Sequence, residues 1–235
     1  MRQKIELSSN FSKVTRPKKD IKFVIIHYTG MQSEIESLKR LKSKRSKVSS
    51  HYFLSRSGAI IQLVKDNKIA WHAGKSKWKN IVNLNKFSIG IELQNRGHRF
   101  GYENFPNSQI QSLIKLCKFL KKKYRIKPEN FLGHSDISPQ RKIDPGEKFP
   151  WKMLSNYKLG VWYKKKYLLL KKSENKDKIF FKNLHKIGYR YFDISKRAKK
   201  DRFVIKAFQQ KFSPNKITGK IDLKLLKISH FLANN

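Results

Sequence analysis

Apolar and polar positions along this chain fall into patterns that predict a sequence of short elements. Residues 23–26 form an unbroken apolar run, as expected of a strand buried on both faces. His27-Tyr28-Thr29-Gly30 follows it, which places His27 at the carboxyl end of the strand, where open α/β sheets bind ligands. Ser33 with Glu36 three residues later predicts a capping box, opening a short helix that carries Ile35, Leu38 and Leu41. Residues 49–54 and 59–64 flank the turn Ser55-Arg56-Ser57-Gly58 and predict a hairpin. Phe87, Ile89, Ile91 and Leu93 alternate with Ser88, Gly90, Glu92 and Gln94, the signature of a half-buried strand. Glu92 therefore points away from the apolar side, over the space that Gly90 and Ser88 leave open.

Ser108 with Gln111 predicts the start of a long helix reaching about Tyr124, with Ile110, Leu113, Ile114, Cys117 and Leu120 as its apolar stripe. Phe131-Leu132 then reads as a short strand delivering His134. The order β, α, ββ, β, α, β predicts an α/β domain over residues 20–162, preceded by a polar arm at 1–19. Residues 163–178 turn basic and read as a linker, or as a short helix built on Leu168, Leu169 and Leu170. Residues 179–235 predict three short amphipathic helices, with Gly188 and Gly219 at helix ends.

Composition narrows the classes. With 38% hydrophobic residues, including 16 Phe, 9 Tyr and 4 Trp, the chain can bury a sizeable core despite a formal charge of +39. Such a field attracts polyanions, but the lysines are spread along the chain and no nucleic-acid motif is visible, so no specific nucleic-acid partner is expected. Cys117, the single cysteine, allows no intrachain disulfide and belongs to a core stripe. No apolar run of signal-peptide or membrane-spanning length is visible, which predicts a cytoplasmic monomer, with a periplasmic or envelope-associated location as the alternative.

Candidate chemistry concentrates in residues 131–146, where His134, Asp136, Arg141, Lys142 and Asp144 share one turn-rich stretch broken by Pro139, Pro145 and Gly146. His27, His134 and Asp144 offer three donors of the kind a catalytic zinc takes, leaving a fourth position for water. Near such a metal, Glu92 suits a general base and Lys142 a donor to a developing oxyanion. Asp136 reads as a supporting partner for a liganding imidazole. Trp71-His72-Ala73-Gly74 suits either the wall of a polar-ligand groove or a packing turn.

Five motifs occur in order: His27-Tyr28-Thr29, Ser50-His51-Tyr52, Trp71-His72-Ala73-Gly74, Ser88-Ile89-Gly90-Ile91-Glu92, and Gly133-His134-x-Asp136-x-x-Pro139-x-Arg141-Lys142-x-Asp144-Pro145-Gly146. Together they resemble the zinc N-acetylmuramoyl-L-alanine amidases of the AmpD and AmiD type, relatives of the peptidoglycan recognition proteins. The resemblance implies a central mixed β-sheet flanked by helices. It also implies cleavage of the amide between N-acetylmuramic acid and L-alanine in peptidoglycan or (anhydro)muropeptides. By resemblance, His27, His134 and Asp144 hold zinc, Glu92 is the base and Lys142 steadies the oxyanion, while His51, Trp71, His72, Ala73, Gly74 and Arg141 meet substrate. A non-catalytic peptidoglycan-binding protein of the same fold is the alternative. Ser50 stands where some relatives have a catalytic tyrosine, and Asp144 where some have cysteine; both departures point to the AmpD-like branch. Leu184-x-x-Ile187-Gly188-Tyr189, Ala207-Phe208-Gln209 and Gly219-x-Ile221-Asp222 resemble a three-helix peptidoglycan-binding module, with Leu223 where threonine is frequent.

Overall fold

The computed structural model describes residues 3–164 and 175–235. The elements follow as β1 (Lys4–Ile5), β2 (Phe11–Thr15), β3 (Phe23–Tyr28), α1 (Glu34–Lys42), β4 (Tyr52–Leu54), β5 (Ile60–Gln62), β6 (Lys68–Ala70), β7 (Lys77–Trp78), β8 (Ile81–Val82) and β9 (Ser88–Leu93). Then come α2 (Asn107–Tyr124), β10 (Phe131–Gly133), α3 (His134–Ile137), α4 (Trp151–Asn156), α5 (Lys176–Ile187), α6 (Asp201–Phe212) and α7 (Leu223–Asn234). The main sheet runs β1-β5-β4-β9-β3-β10. It is mixed: β4 and β5 are antiparallel, whereas β4-β9, β9-β3, β3-β10 and β1-β5 are parallel.

Strand periodicity sorts side chains onto two faces. Val24, Ile26, Ile89, Ile91, Leu93 and Phe131 turn to the face covered by the Leu113, Cys117 and Leu120 stripe of α2 and by Trp151 and Leu154 of α4. Phe23, Ile25 and Leu132 turn to the other face, where they share one core with Phe180, Phe181, Tyr189, Phe208 and Phe212. The C-terminal helices are thus packed directly on the sheet. Each fully buried aromatic side chain contributes about 2–3 kcal/mol as an upper estimate, so this contact is a large one. Gly188 marks how close it is: at φ +142° its backbone takes a conformation other residues avoid, and a Cβ there would lie 2.4 Å from the Trp78 ring.

Several expectations hold at the level of single bonds. Ser33 Oγ accepts from Glu36 N at 3.1 Å and starts α1. The hairpin pairs Leu54 with Ile60 and Tyr52 with Gln62. Others change. Helix α2 begins at Asn107 after Pro106, and Ser108 Oγ instead donates to Arg56 O at 2.8 Å, anchoring the hairpin turn. The third C-terminal helix starts at Leu223, capped by the Asp222 carboxylate accepting from Leu225 N, and Gly219 lies in the preceding turn. The 163–178 stretch becomes helical at Lys176, and the expectation for Leu168 to Leu170 lies outside the described residues.

Residues 4–16 are not a free polar arm. Strand β1 joins the sheet edge beside β5, and β2 pairs with β6. Arg16, 4% exposed, drives its guanidinium inward and donates to Asp66 O, Asn85 O, Lys86 O and Ser88 O.

Candidate active site

His27 closes β3 and Glu92 is its register partner on the parallel strand β9. Both stand on the sheet face opposite α2, because His27 alternates with Ile26 and Glu92 with Ile91 and Leu93. His134 begins α3 at the end of the neighbouring strand β10, and Ser135 N donates to Asp144 O at 2.9 Å, drawing the two halves of the 131–146 loop together. Three buried donor atoms converge as a result. His27 Nδ1 lies 3.0 Å from both His134 Nδ1 and Asp144 Oδ2, and the last two are 3.1 Å apart. Among the described residues this is the one group of three such side chains placed to hold a metal ion.

Hydrogen bonding on the far side of each ring assigns the protons. His134 Nε2 faces the Ala73 carbonyl at 3.1 Å, so it carries the proton and Nδ1 keeps its lone pair. Ser88 Oγ donates to Leu84 O at 2.6 Å and therefore accepts from His72 Nε2 at 3.2 Å. His72 Nδ1 then accepts from His27 Nε2 at 3.0 Å, which leaves His27 Nδ1 unprotonated as well. Two imidazole lone pairs and a carboxylate oxygen face one another with no proton between them. That arrangement is repulsive without a cation, and the donor set suits zinc. Burial and the neighbouring His134 push His27 down to about 4, keeping it neutral.

A cleft of about 320 Å³ opens over this set, lined by His27, Trp71, His72, Glu92, His134, Arg141, Lys142 and Asp144. Glu92 Oε2 is shut off from solvent with no protein partner. Burial and then Asp144 push its carboxyl up to about 8, while Lys142 and Arg40 pull it down. A larger cleft of about 890 Å³ between the sheet and the C-terminal helices, lined in part by Trp78, Trp162, Lys186 and His230, lies away from the donor set.

Other expected site residues are placed differently. His51 is fully buried and does not reach the cleft: its Nδ1 accepts from Gly90 N at 3.0 Å, and its Nε2 faces Lys68 O and the Arg16 guanidinium. Asp136 bonds no imidazole directly; its Oδ2 accepts from Gly133 N at 2.8 Å and from Lys211 Nζ at 2.7 Å, and its Oδ1 from Tyr189 at 2.5 Å. His72 borders the cleft but uses its ring on His27 and fills the space above Gly90, where a Cβ would lie 2.4 Å from it. Ala73 and Gly74 stand behind the cleft lining, and Arg141 Nη2 donates back to Ala73 O at 2.9 Å. Trp71 remains a wall of the cleft. Arg40 and Ser49 as lining residues and Arg16 as a buried anchor were not legible in the sequence, because none of the three sits in a motif; Tyr28 also lines the cleft, and its place in the His27-Tyr28-Thr29 motif gave it no role of its own.

Comparison with known proteins supplies the remaining observation. The profile of the N-acetylmuramoyl-L-alanine amidase family matches residues 17–147, a span holding all three donors, Glu92 and Lys142. The chain belongs to this family. The amidase is 36% identical over 230 residues to AmiD of Escherichia coli, covering 90% of this chain and 82% of that protein. It is 35% identical over 162 residues to the 1,6-anhydro-N-acetylmuramyl-L-alanine amidase AmpD of Haemophilus influenzae, covering 61% of this chain and 85% of that one. Its fold superimposes with a TM-score of 0.81 on Escherichia coli AmiD in complex with anhydro-N-acetylmuramic acid-L-Ala-D-γ-Glu-L-Lys, at 34% identity over 94% of this chain and 91% of AmiD. AmpDh3 of Pseudomonas aeruginosa, in complex with an anhydromuramic pentapeptide, gives a TM-score of 0.81 at 28% identity, covering 95% of each chain. The C-terminal helices are included in both likenesses.

Proposed function

We propose that the amidase hydrolyses the bond between the lactyl group of N-acetylmuramic acid and L-alanine in anhydromuropeptides, with zinc held by His27, His134 and Asp144. The observation that carries this reading is the convergence of two imidazole lone pairs and a carboxylate oxygen beside Glu92. Bound there, zinc supplies a Lewis acid for the scissile carbonyl and acidifies water. Glu92 takes the proton of the attacking water and returns it to the leaving alanine nitrogen. A carboxyl raised by burial to about 8 suits a group that must accept and then donate near neutral pH. Lys142 lines the same cleft and donates to the carbonyl oxygen as negative charge develops on it. His72 and the Ala73 carbonyl hold the two imidazoles in the required tautomers. Arg40 and Lys142 at the cleft provide positive charge for the carboxylates of a stem peptide. The relatives crystallised with anhydromuramyl peptides support soluble fragments as substrate.

The test is mass-spectrometric analysis of soluble anhydromuropeptide and of intact sacculi incubated with the zinc-loaded protein. Release of peptides with a free L-alanine amine from the soluble fragment is expected. Zinc-loaded protein that binds the fragment and releases nothing contradicts the catalytic reading.

A further inference from the structure

We propose that Lys211 on α6 and Tyr189, just past the end of α5, are positioning residues for the metal centre, acting through Asp136 on the turn that carries His134. This inference rests on the reading of His134 and Asp144 as metal ligands.

Asp136 lies two residues after His134 in α3 and is 1% exposed. Its Oδ2 closes the start of α3 by accepting from Gly133 N. Both its oxygens are also taken by the C-terminal region: Lys211 Nζ donates to Oδ2 and the Tyr189 hydroxyl to Oδ1. Lys211 is itself 5% exposed, bonds Phe131 O at 3.3 Å and lies 4.0 Å from the centre of the Trp151 ring. A charge pair this deep holds only while both members are present; loss of one strands the other in an apolar setting. Without Lys211 the Asp136 carboxylate loses its charge partner in an apolar setting and must turn towards water, which loosens its bond to Gly133 N. Gly133 has no slack to absorb this, because a Cβ there would lie 2.7 Å from Pro145, the neighbour of Asp144. The turn so loosened carries His134 and, through Ser135 N, the backbone of Asp144. Two of three ligands therefore depend on a lysine 75 residues further along the chain than Asp136. Lys211 and Tyr189 fall outside residues 17–147 matched by the family profile.

Zinc affinity of the full chain, measured by competition with a chromophoric chelator well below each variant's melting temperature, tests the proposal. Lys211→Met is expected to weaken zinc binding about 10- to 100-fold, the range for residues that orient metal ligands. Asp136→Asn combined with Lys211→Met is expected to regain most of that loss, since the amide needs no cation and its oxygen still accepts from Gly133 N. Asn183→Ala is the control: it removes the bond to Ser229 Oγ inside the α5–α7 pair and should lower the melting temperature while leaving zinc affinity unchanged. Should Lys211→Met fail to fold, Tyr189→Phe removes a single hydrogen bond and should weaken zinc about fivefold. Wild-type affinity in Lys211→Met, or in Tyr189→Phe where that variant must stand in, overturns the proposal. So does a loss in Asn183→Ala that matches its fall in stability. A wild type that takes up no zinc overturns the ligand assignment itself, and this inference with it.

Discussion

Two buried histidine clusters lie on this sheet, and they do opposite things. Around His51, both ring nitrogens are consumed by the fold: one accepts from Gly90 N, the other faces Lys68 O beside the Arg16 guanidinium. Around His27 and His134, only the far nitrogen of each ring is consumed, and the near one keeps a lone pair aimed at Asp144. Burial is nearly equal, at 0% exposure for His51, 1% for His27 and 3% for His134. What separates a structural histidine from a proposed metal ligand here is where the second nitrogen points.

The comparison breaks most visibly at Arg16. Arg16→Met leaves four backbone carbonyls without their charged donor, and a loss of about 3 kcal/mol of stability is expected by urea unfolding. Zinc bound per folded chain should not change. A fully stable variant would show that the arginine is dispensable. At His72 the prediction is the reverse. His72→Gln should weaken zinc about 10- to 100-fold by releasing the His27 tautomer, with a smaller effect on stability. Unaltered affinity by chelator competition would remove His72 from the account.

The third effect is one of pH. Burial, reinforced by Arg16, pushes the His51 imidazole down to about 3. The folded state then binds fewer protons than the unfolded chain between about pH 6.5 and 3, so stability falls as pH falls through that window. One such group contributes at most about 1.4 kcal/mol per pH unit. The raised Glu92 carboxyl acts with the opposite sign: it stabilises the folded metal-free protein below about pH 4.5, and that contribution is lost as pH rises through about 8. Urea unfolding of metal-free wild type and His51→Asn across pH 4–7 should show a shallower acid limb in the variant. Parallel curves would contradict the neutral, fold-bound state of His51.

The catalytic face was legible because strand periodicity is local. Alternation alone turned Glu92 away from Ile91, and the run ending at Ile26 placed His27 at a strand terminus. What escaped depends on partners far along the chain. Arg16 sits in a stretch with no apolar pattern, and its role comes from carbonyls 50 to 72 residues later. Asp136, two residues from His134, suggested support for an imidazole, yet its charge partner Lys211 lies at the end of α6. His51 sits inside a family motif, which marked it for substrate; hydrogen bonds to and from the Gly90 backbone and the inward guanidinium make it a peg. Ser108 had the right spacing for a cap, but the Arg56 carbonyl competes for its hydroxyl.

The central claim is that the zinc ligands and the base are separate groups on one face of the sheet. Zinc content and amide cleavage measured together on wild type, Glu92→Gln and Asp144→Ala test it most directly. The account predicts that Glu92→Gln keeps stoichiometric zinc and loses turnover by about 10²- to 10⁴-fold, as removal of a general base does, whereas Asp144→Ala loses both zinc and turnover. Wild-type turnover in Glu92→Gln, or retained zinc in Asp144→Ala, would contradict it.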